Sequence, residues 1–316
     1  MSDIPPEVET RRSRSHRARG RGRRWRPSLL TIAVALFAIA ALTAGLYPMT
    51  ASWLTSYNQS QIIRDYESSV DAVSPSAAEQ LAAAHAYNDA LSAGVALESN
   101  ANVPVGEGSS TDESLQYARM LTASDDGLMG RVRIPAIDVD LPIYHGTSDD
   151  VLLRGVGHLE GSHLPVGGDG THAVLTAHRG LANATMFSDL DGVEVGDRFT
   201  MDVLGEVLTY EVRTKEVIDP ADTGTLRAEP GRDLVTLVTC TPLGINSHRI
   251  VVTGERVLPT PAADVTGAGS ESDVPGFPWW AVFAGSGLLM VGAYVAWQGR
   301  IDAKLASQRR TRRPAG

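Results

Sequence analysis

Cysteine is almost absent from this chain, since Cys240 is the only one in 316 residues. A lone thiol cannot form an internal disulfide, so the fold must be held together by packing alone. The value of Cys240 then lies in reactivity, in metal binding or in filling space as a small buried hydrophobe.

Basic residues are scarce between the two ends of the chain. Of the 28 Lys and Arg residues, 15 lie in residues 1–28 and 299–316, which leaves 13 against 33 Asp and Glu residues in between. An acidic surface repels nucleic acid, because binding to a phosphate backbone requires clustered Lys and Arg. We therefore expect no nucleic-acid partner.

The histidines lack the spacing of a metal site. Four of them fall in separate loops without the compact spacing of zinc ligands, namely His145, His158, His163 and His172. No acidic loop has the ligand pattern of a calcium site. The sequence therefore predicts no metal, and no segment indicates an organic cofactor.

Two long apolar segments flank the middle of the chain, at residues 29–49 and 279–297. Each is close to the roughly 20 residues that span a bilayer as a helix. Arginine-rich tails precede the first and follow the second, so the positive-inside bias places both tails in the cytoplasm and the middle of the chain outside. A cleaved signal peptide is the alternative for the first segment, but its apolar part is too long and residues 46–49 lack a small-x-small cleavage pattern.

The intervening sequence changes character near Leu128. Residues 51–127 contain two predicted helices, at 58–73 and 76–93, and a Gly- and Ser-rich loop; Ser76 and Glu79 form a capping box. Short runs rich in Val, Ile, Leu and Thr then recur at 129–134, 139–144, 173–176, 198–204, 207–218, 234–240 and 249–255. This pattern predicts a mainly β domain, a barrel or a sandwich. Helical turns are expected at 148–153 and 185–190.

These patterns divide the chain into seven predicted segments. They are a basic cytoplasmic tail (1–28), a transmembrane helix (29–50), a helical segment with a loop (51–127), a β domain (128–258), a linker (259–276), a second transmembrane helix (277–298) and a second basic tail (299–316).

Three residues could carry nucleophilic chemistry. Cys240 ends one predicted strand, Arg249 begins the next, and His178 ends the run AVLTAH. If the first two strands pair antiparallel, a fixed cation lies beside the sulfur. A thiol needs a nearby base or cation to become a nucleophile, and acyl transfer needs donors for the oxyanion. Taken singly, each residue is more often a packing or surface residue.

The same residues match a known family. The run LVTLVTCTPLGINSHRIVVTGER, LTAHRG around His178, and RVRIPAIDVDLPIYHGTS upstream resemble the motifs of sortases over residues 128–257. The CTPxGxNSHR and YHGTS segments and the second membrane helix resemble class C, the pilus-assembling subgroup.

The resemblance implies a closed eight-stranded sortase-type β-barrel with short helices, an N-terminal helical segment and two flanking transmembrane helices. It implies a cysteine transpeptidase at the plasma membrane of a Gram-positive-type bacterium, with the catalytic domain outside. Cys240, His178 and Arg249 would be catalytic. Its partners would be secreted proteins that carry LPXTG-type signals, above all pilin subunits, and we expect a monomer.

The chain departs from the class C pattern at one point. Members commonly carry a lid with an Asp-Pro-aromatic tripeptide before the barrel, whereas residues 96–112 contain only Val103-Pro104-Val105. Either this loop is open or it closes through other contacts.

Further candidates and rival functions remain. Thr239 and Thr176 are candidate substrate-binding residues, although strand threonines usually reflect β propensity. His248 has the opposite strand parity to Arg249 and is expected to face away. The rival functions are a sortase that anchors surface proteins to peptidoglycan and a noncatalytic membrane-tethered β domain that binds a surface partner.

Overall fold

A computed structural model describes residues 27–92, 95–96, 105–106, 109–110, 117–124, 126–270, 272 and 274–311. Eight strands close into a barrel, which confirms the predicted fold class. The strands are Leu128–Ile134 (β1), Val139–His145 (β2), Val156–His158 (β3), Thr171–Thr176 (β4), Arg198–Val203 (β5), Glu206–Ile218 (β6), Asp233–Thr241 (β7) and His248–Arg256 (β8).

The order of strands around the barrel is β6-β8-β7-β4-β3-β2-β1-β5, and β5 closes the ring by pairing with β6. Most neighbouring pairs are antiparallel. The exceptions are β7 with β4 and β2 with β3, which are parallel. This arrangement places the carboxyl ends of β4 and β7 side by side, and it is there that the chemically interesting residues lie.

Strand alternation separates two apolar clusters. Leu237 and Val252 are register partners in the main core, which fills the barrel, whereas the next pair along, Val238 and Val251, belongs to a second, smaller cluster. Because successive side chains point to opposite faces, the second cluster covers the outer face of β4, β7 and β8. Its members are Leu159, Val174, Ile218, Leu226, Val238 and Val251.

Five α-helices accompany the barrel in the part of the chain that the structure describes. They are Leu29–Ser69 (α1), Ala77–Ala90 (α2), Asp149–Leu152 (α3), Ala262–Gly267 (α4) and Trp279–Thr311 (α5). Both α1 and α5 are long and apolar enough to cross a membrane, by length and composition. The chain divides into two compact units: residues 44–283, which include the barrel, and a second that contains the first part of α1 and most of α5.

A buried ion cluster fixes α1 to the barrel. The Arg131 guanidinium on β1 is 1% exposed; its Nε and Nη2 donate to the two oxygens of Asp140 on β2, each at 2.7 Å. Its Nη1 pairs with Glu67 of α1 and donates to the backbone oxygen of Ser270 at 3.1 Å. One guanidinium therefore joins two strands, the helix and the segment that follows α4, and both of its carboxylate partners are held by hydrogen bonds.

The predicted strands are confirmed to within a few residues, but β3 was not predicted. Its three residues, within GVGHLEG, are too few to show alternation. The predicted helix at 58–73 is not separate, because α1 runs through Pro48 to Ser69 without a break. The capping box at Ser76 is present, and α3 lies within the expected turn at 148–153. Within the expected turn at 185–190, residues 186–189 form turns, and a 3-10 helix begins at its last residue and covers Leu190–Gly192.

Two further segments bear on the predictions. The predicted linker contains α4, which packs on β6 through a 2.8 Å hydrogen bond from Thr209 Oγ1 to Asp264. Most of the loop that lacks the Asp-Pro-aromatic tripeptide lies outside the described residues, as do residues 1–26 and 312–316 of the basic tails. The described residues of that loop take part in two short antiparallel ladders, which pair Leu91–Ser92 with Ser109–Ser110 and Val95–Ala96 with Val105–Gly106.

Candidate active site

Cys240 lies near the carboxyl end of β7 and pairs directly with Arg249 on β8. Register partners in an antiparallel pair have Cα atoms roughly 4.5–5.5 Å apart and side chains on the same face. The pair shares the parity of Val238 and Val251, so both side chains lie on the outer face of the barrel. The structure thus brings the thiol and the guanidinium together, as the sequence predicts.

Arg249 is held by the connection between β7 and β8. Its Nη1 donates to the backbone oxygens of Asn246 at 2.8 Å and His248 at 3.0 Å. The residue is completely buried, and Cys240 is 7% exposed. The guanidinium therefore has a fixed orientation beside the sulfur, in surroundings that exclude water.

His178 approaches from β4, the parallel neighbour of β7. The last register pair is Thr176 with Val238, and the alignment continues beyond it because the Ala177 amide donates to the Val238 oxygen at 3.2 Å. Two residues further along, His178 lies level with Cys240. Partners on adjacent parallel strands are about 5 Å apart and share a face. Three residues from separate parts of the chain therefore meet at one end of the barrel.

The ionisation of the site follows from its burial. Loss of solvent raises the pKa of the Cys240 thiol, although the charge of Arg249 works in the opposite direction. Burial also lowers the pKa of His178, which the carboxylate of Asp149 on α3 partly offsets. Both directions favour a neutral thiol beside a neutral imidazole near neutral pH, rather than an ion pair.

The hydroxyls of Thr239 and Thr176 bind backbone atoms. Thr239 Oγ1 donates to the Ala177 oxygen at 2.8 Å, and Thr176 Oγ1 donates to the Val238 oxygen at 3.2 Å. Both residues are buried. These bonds hold β4 and β7 in register next to the site, and a role in substrate binding stays a prediction.

Arg179 was not predicted as a site residue. In the sequence, Arg179-Gly180 indicates only the end of the strand that precedes it. Its Nη1 donates to Thr241 Oγ1 at 2.9 Å, its Nε donates to the Ser188 oxygen at 3.0 Å, and its Nη2 pairs with Asp191 at 2.8 Å. The residue after His178 is thereby bonded to the residue after Cys240. Its place next to the histidine is the only signal that the sequence offered.

The β7–β8 connection also packs against the segment that follows His178. Gly180 has a φ of +75°, and a Cβ built there would lie 2.4 Å from Leu243 Cδ2. Leu243 and Ile245 are nevertheless 58% and 66% exposed. The two segments that border Cys240 and His178 thus touch each other and present apolar side chains to solvent beside the site.

The remaining histidines have other surroundings. His248 is exposed, lies opposite Thr241 and contacts Ser247 Oγ through Nδ1 at 2.9 Å. His158 is fully buried, with Nδ1 2.9 Å from the Tyr117 hydroxyl and Nε2 2.8 Å from the His163 oxygen. Among the residues that the structure describes, no three His, Cys, Asp or Glu side chains form a metal-binding group.

Comparisons of sequence identify the family of the barrel. A family profile described as "Sortase domain" matches residues 132–257. Sortase D of Bacillus subtilis (strain 168) is 30% identical over 155 residues, which cover 48% of this chain and 75% of that protein. Sortase A of Bacillus anthracis is 28% identical over 130 residues, covering 41% of this chain and 60% of that protein.

Solved structures agree and are more similar in sequence. Sortase C of Streptococcus pneumoniae is 39% identical with a TM-score of 0.54, and the alignment covers 62% of this chain and 96% of that one. Sortase C-1 of Actinomyces oris is 46% identical with a TM-score of 0.51, covering 58% and 99%. The barrel, the matched motifs and these likenesses lead to one conclusion: the chain belongs to the sortase family of cysteine transpeptidases, and its structural relatives are of class C.

Proposed function

We propose that this sortase is anchored in the plasma membrane, cleaves an LPXTG-type signal between Thr and Gly, and joins the new carboxyl end to a lysine amine of a pilin subunit. The observation that carries the proposal is the meeting of Cys240, His178 and Arg249 at one end of β7, β8 and β4. The likeness to sortase C of S. pneumoniae, a structure described for its pilin substrate specificity, supports the choice of pilin.

The first half-reaction forms a thioester. Sγ of Cys240 attacks the carbonyl carbon of the signal's Thr while His178 accepts the thiol proton, which a neutral imidazole can do. Arg249 stabilises the negative charge on the carbonyl oxygen. The C–N bond to Gly then breaks, and the proton on His178 passes to the departing amine.

The second half-reaction consumes the thioester. A neutral lysine amine attacks the same carbonyl carbon, and His178 accepts a proton from the attacking nitrogen. The C–S bond breaks, an isopeptide bond remains, and the proton returns to the sulfur. The enzyme leaves the cycle as it entered, with a thiol and a neutral imidazole.

The acyl-enzyme provides the direct test. When the full-length enzyme is incubated with a signal peptide, intact mass spectrometry should show an adduct on Cys240, and Cys240→Ala should show none. His178→Ala should lose activity, whereas the neighbouring, exposed His248→Ala should retain it. Transpeptidation by the Cys240→Ala variant would refute the assignment. So would activity that persists in His178→Ala and is lost in His248→Ala.

A second experiment separates pilus assembly from anchoring to peptidoglycan. Incubation with a pilin subunit should yield a ladder of covalent multimers if the nucleophile is a pilin lysine. Product capped only by an added cell-wall amine would favour the anchoring function. No adduct with either would favour the noncatalytic β domain.

A further inference from the structure

Helix α1 runs along the barrel in a defined direction. Near its middle, Ser52 Oγ lies 3.1 Å from Thr185 Oγ1, and Thr55 Oγ1 donates to the Asn183 oxygen at 2.8 Å. Further along, the Tyr66 hydroxyl accepts from the Leu204 amide. Fourteen residues separate Ser52 from Tyr66, or about 21 Å of helix.

These contacts identify the two ends of the barrel. Thr185 belongs to the segment that follows His178, and two residues later the Phe187 amide donates to the His178 oxygen at 3.1 Å. Leu204 lies in the turn between β5 and β6, at the opposite end from Cys240. The stretch of α1 around Ser52 therefore lies beside the catalytic end, and from there to Tyr66 the helix runs toward the opposite end of the barrel.

Six aromatic residues lie around Trp53, the neighbour of Ser52 in α1, and at the start of α5. Trp53 stacks on Tyr57 with ring centroids 5.5 Å apart and meets the edge of Trp280 at 6.0 Å. Trp53 Nε1 donates to the Gly276 oxygen at 2.8 Å. This hydrogen bond connects α1 to the segment that precedes α5. We call this set the aromatic cluster: Trp53, Tyr57, Phe277, Trp279, Trp280 and Phe283.

The aromatic cluster has the character of an interfacial anchor. Tyr57, Phe277, Trp279 and Phe283 are 43%, 63%, 55% and 51% exposed, which is unusual for large apolar rings in water. Trp and Tyr concentrate where a protein crosses between lipid and water. Five of its six members belong to the two helices that are long and apolar enough to span a bilayer.

We infer that the aromatic cluster sits in the lipid–water interface and holds the catalytic end of the barrel at the outer surface of the bilayer. The partner is a phospholipid bilayer surface, and a peptide reaches Cys240 from the interfacial layer. The inference rests on the proposed function, which places this part of the chain outside the cell. It adds which end of the barrel faces the bilayer, which the presence of membrane helices alone does not specify.

The single cysteine makes a direct measurement possible. In the full-length enzyme, reconstituted in phosphatidylcholine vesicles, a small thiol-reactive fluorophore on Cys240 reports its distance from lipids that carry a nitroxide on the headgroup. The control is Asp169→Cys in a Cys240→Ala background, because Asp169 is exposed and precedes β4 at the opposite end. We expect severalfold stronger quenching at Cys240. Equal or reversed quenching would overturn the inference.

A variant tests whether the aromatic cluster is the cause. Trp53→Ser with Trp280→Ser should reduce quenching at Cys240 severalfold, whereas Trp297→Ser, an exposed aromatic of α5 outside the cluster, should leave it unchanged. Unchanged quenching in the double variant would contradict the role of the cluster. Formation of the acyl-enzyme with a soluble peptide, measured on unlabelled protein, should persist in the double variant.

The two proposals fail in different ways. If a membrane-impermeant thiol reagent added outside right-side-out vesicles does not label Asp169→Cys in the Cys240→Ala background, an exposed position, the proposed topology is wrong. If the reagent labels that cysteine but headgroup nitroxides do not quench the fluorophore on Cys240, only the interfacial position is wrong.

Discussion

At the scale of single residues, the site combines a buried nucleophile with a buried, permanently charged neighbour. Cys240 gains a cation from its cross-strand partner Arg249, but burial opposes ionisation more strongly. His178 is similarly pushed toward its neutral form. The two neutral groups can then exchange one proton during attack, so the enzyme need not maintain a charged pair out of water.

The first prediction concerns the titration of this thiol. Because the pKa of Cys240 is raised, the rate of alkylation by iodoacetamide should increase with pH and reach half of its maximum above the ordinary thiol value of 9.0. Arg249→Ala should move the midpoint higher still, since the lowering charge is removed. A midpoint below 7 would show that the thiolate is the resting form.

The second prediction separates charge from shape at Arg249. Arg249→Lys keeps the charge but loses the planar fork, so kcat/KM for transpeptidation should fall about a hundredfold, while the alkylation midpoint should change little. Arg198→Lys is the matched control, because Arg198 is exposed and pairs with Glu211 on the barrel surface. Near-normal kcat/KM in Arg249→Lys would exclude a role for the guanidinium fork.

At the scale of elements, the site depends on how β4, β7 and β8 are kept in register. Thr176 and Thr239 bond the backbone across β4 and β7, and Arg179 bonds the residue after Cys240. The Arg249 guanidinium similarly holds the β7–β8 connection. These bonds place the reacting groups on rigid strand ends, which lowers the cost of reaching the reactive geometry.

The third prediction assigns Arg179 a positioning role. Arg179→Gln should lower the rate constant for acylation about 10- to 100-fold with little change in peptide KM, because His178 is displaced relative to Cys240. Arg213→Gln is the control, since Arg213 forms surface ion pairs with Glu229 and Glu255 at the other end of β7 and β8. An unaltered acylation rate, or an equal loss in both variants, would contradict the prediction.

The elements also show what could be predicted from sequence. The sequence predicted the strands that have alternating or continuous apolar residues, because this pattern is local. It did not predict β3, because three residues are too few to show a pattern. Arg249 could be placed beside Cys240 from strand order alone, since the two strands are consecutive. The level of His178 required the parallel pairing of β4 with β7, which the sequence does not encode locally. Arg179 was missed because its partners are 9 and 62 residues away.

At the scale of the whole molecule, buried titratable groups make stability depend on pH. Burial lowers the pKa of His158 from 6.5 to about 3. The unfolded chain therefore binds a proton between these values that the folded chain does not. This contribution to stability is present above pH 6.5 and is lost as the pH falls toward 3. The carboxyls of Glu67, Asp202 and Asp233 have raised pKa values and act in the opposite direction.

The fourth prediction isolates the histidine. His158→Asn should remove part of the acid dependence of the free energy of unfolding, on the order of 4 kcal/mol between pH 7 and pH 3. Urea unfolding of residues 44–283 at several pH values gives the free energy of unfolding of the wild type and of His158→Asn. The contribution of the carboxyls is common to both proteins and cancels in the difference. Parallel pH profiles for both proteins would show that His158 is accessible to protons in the folded state.

The closed ring of eight strands limits how this enzyme can recognise a peptide. Every barrel strand already has a neighbour on both sides, so the ring has no edge strand to which an extended ligand could add as a ninth strand. Main-chain pairing along the whole length of a strand is thereby excluded at the barrel. Discrimination among peptides must instead come from the fit of individual side chains against the loops that border Cys240.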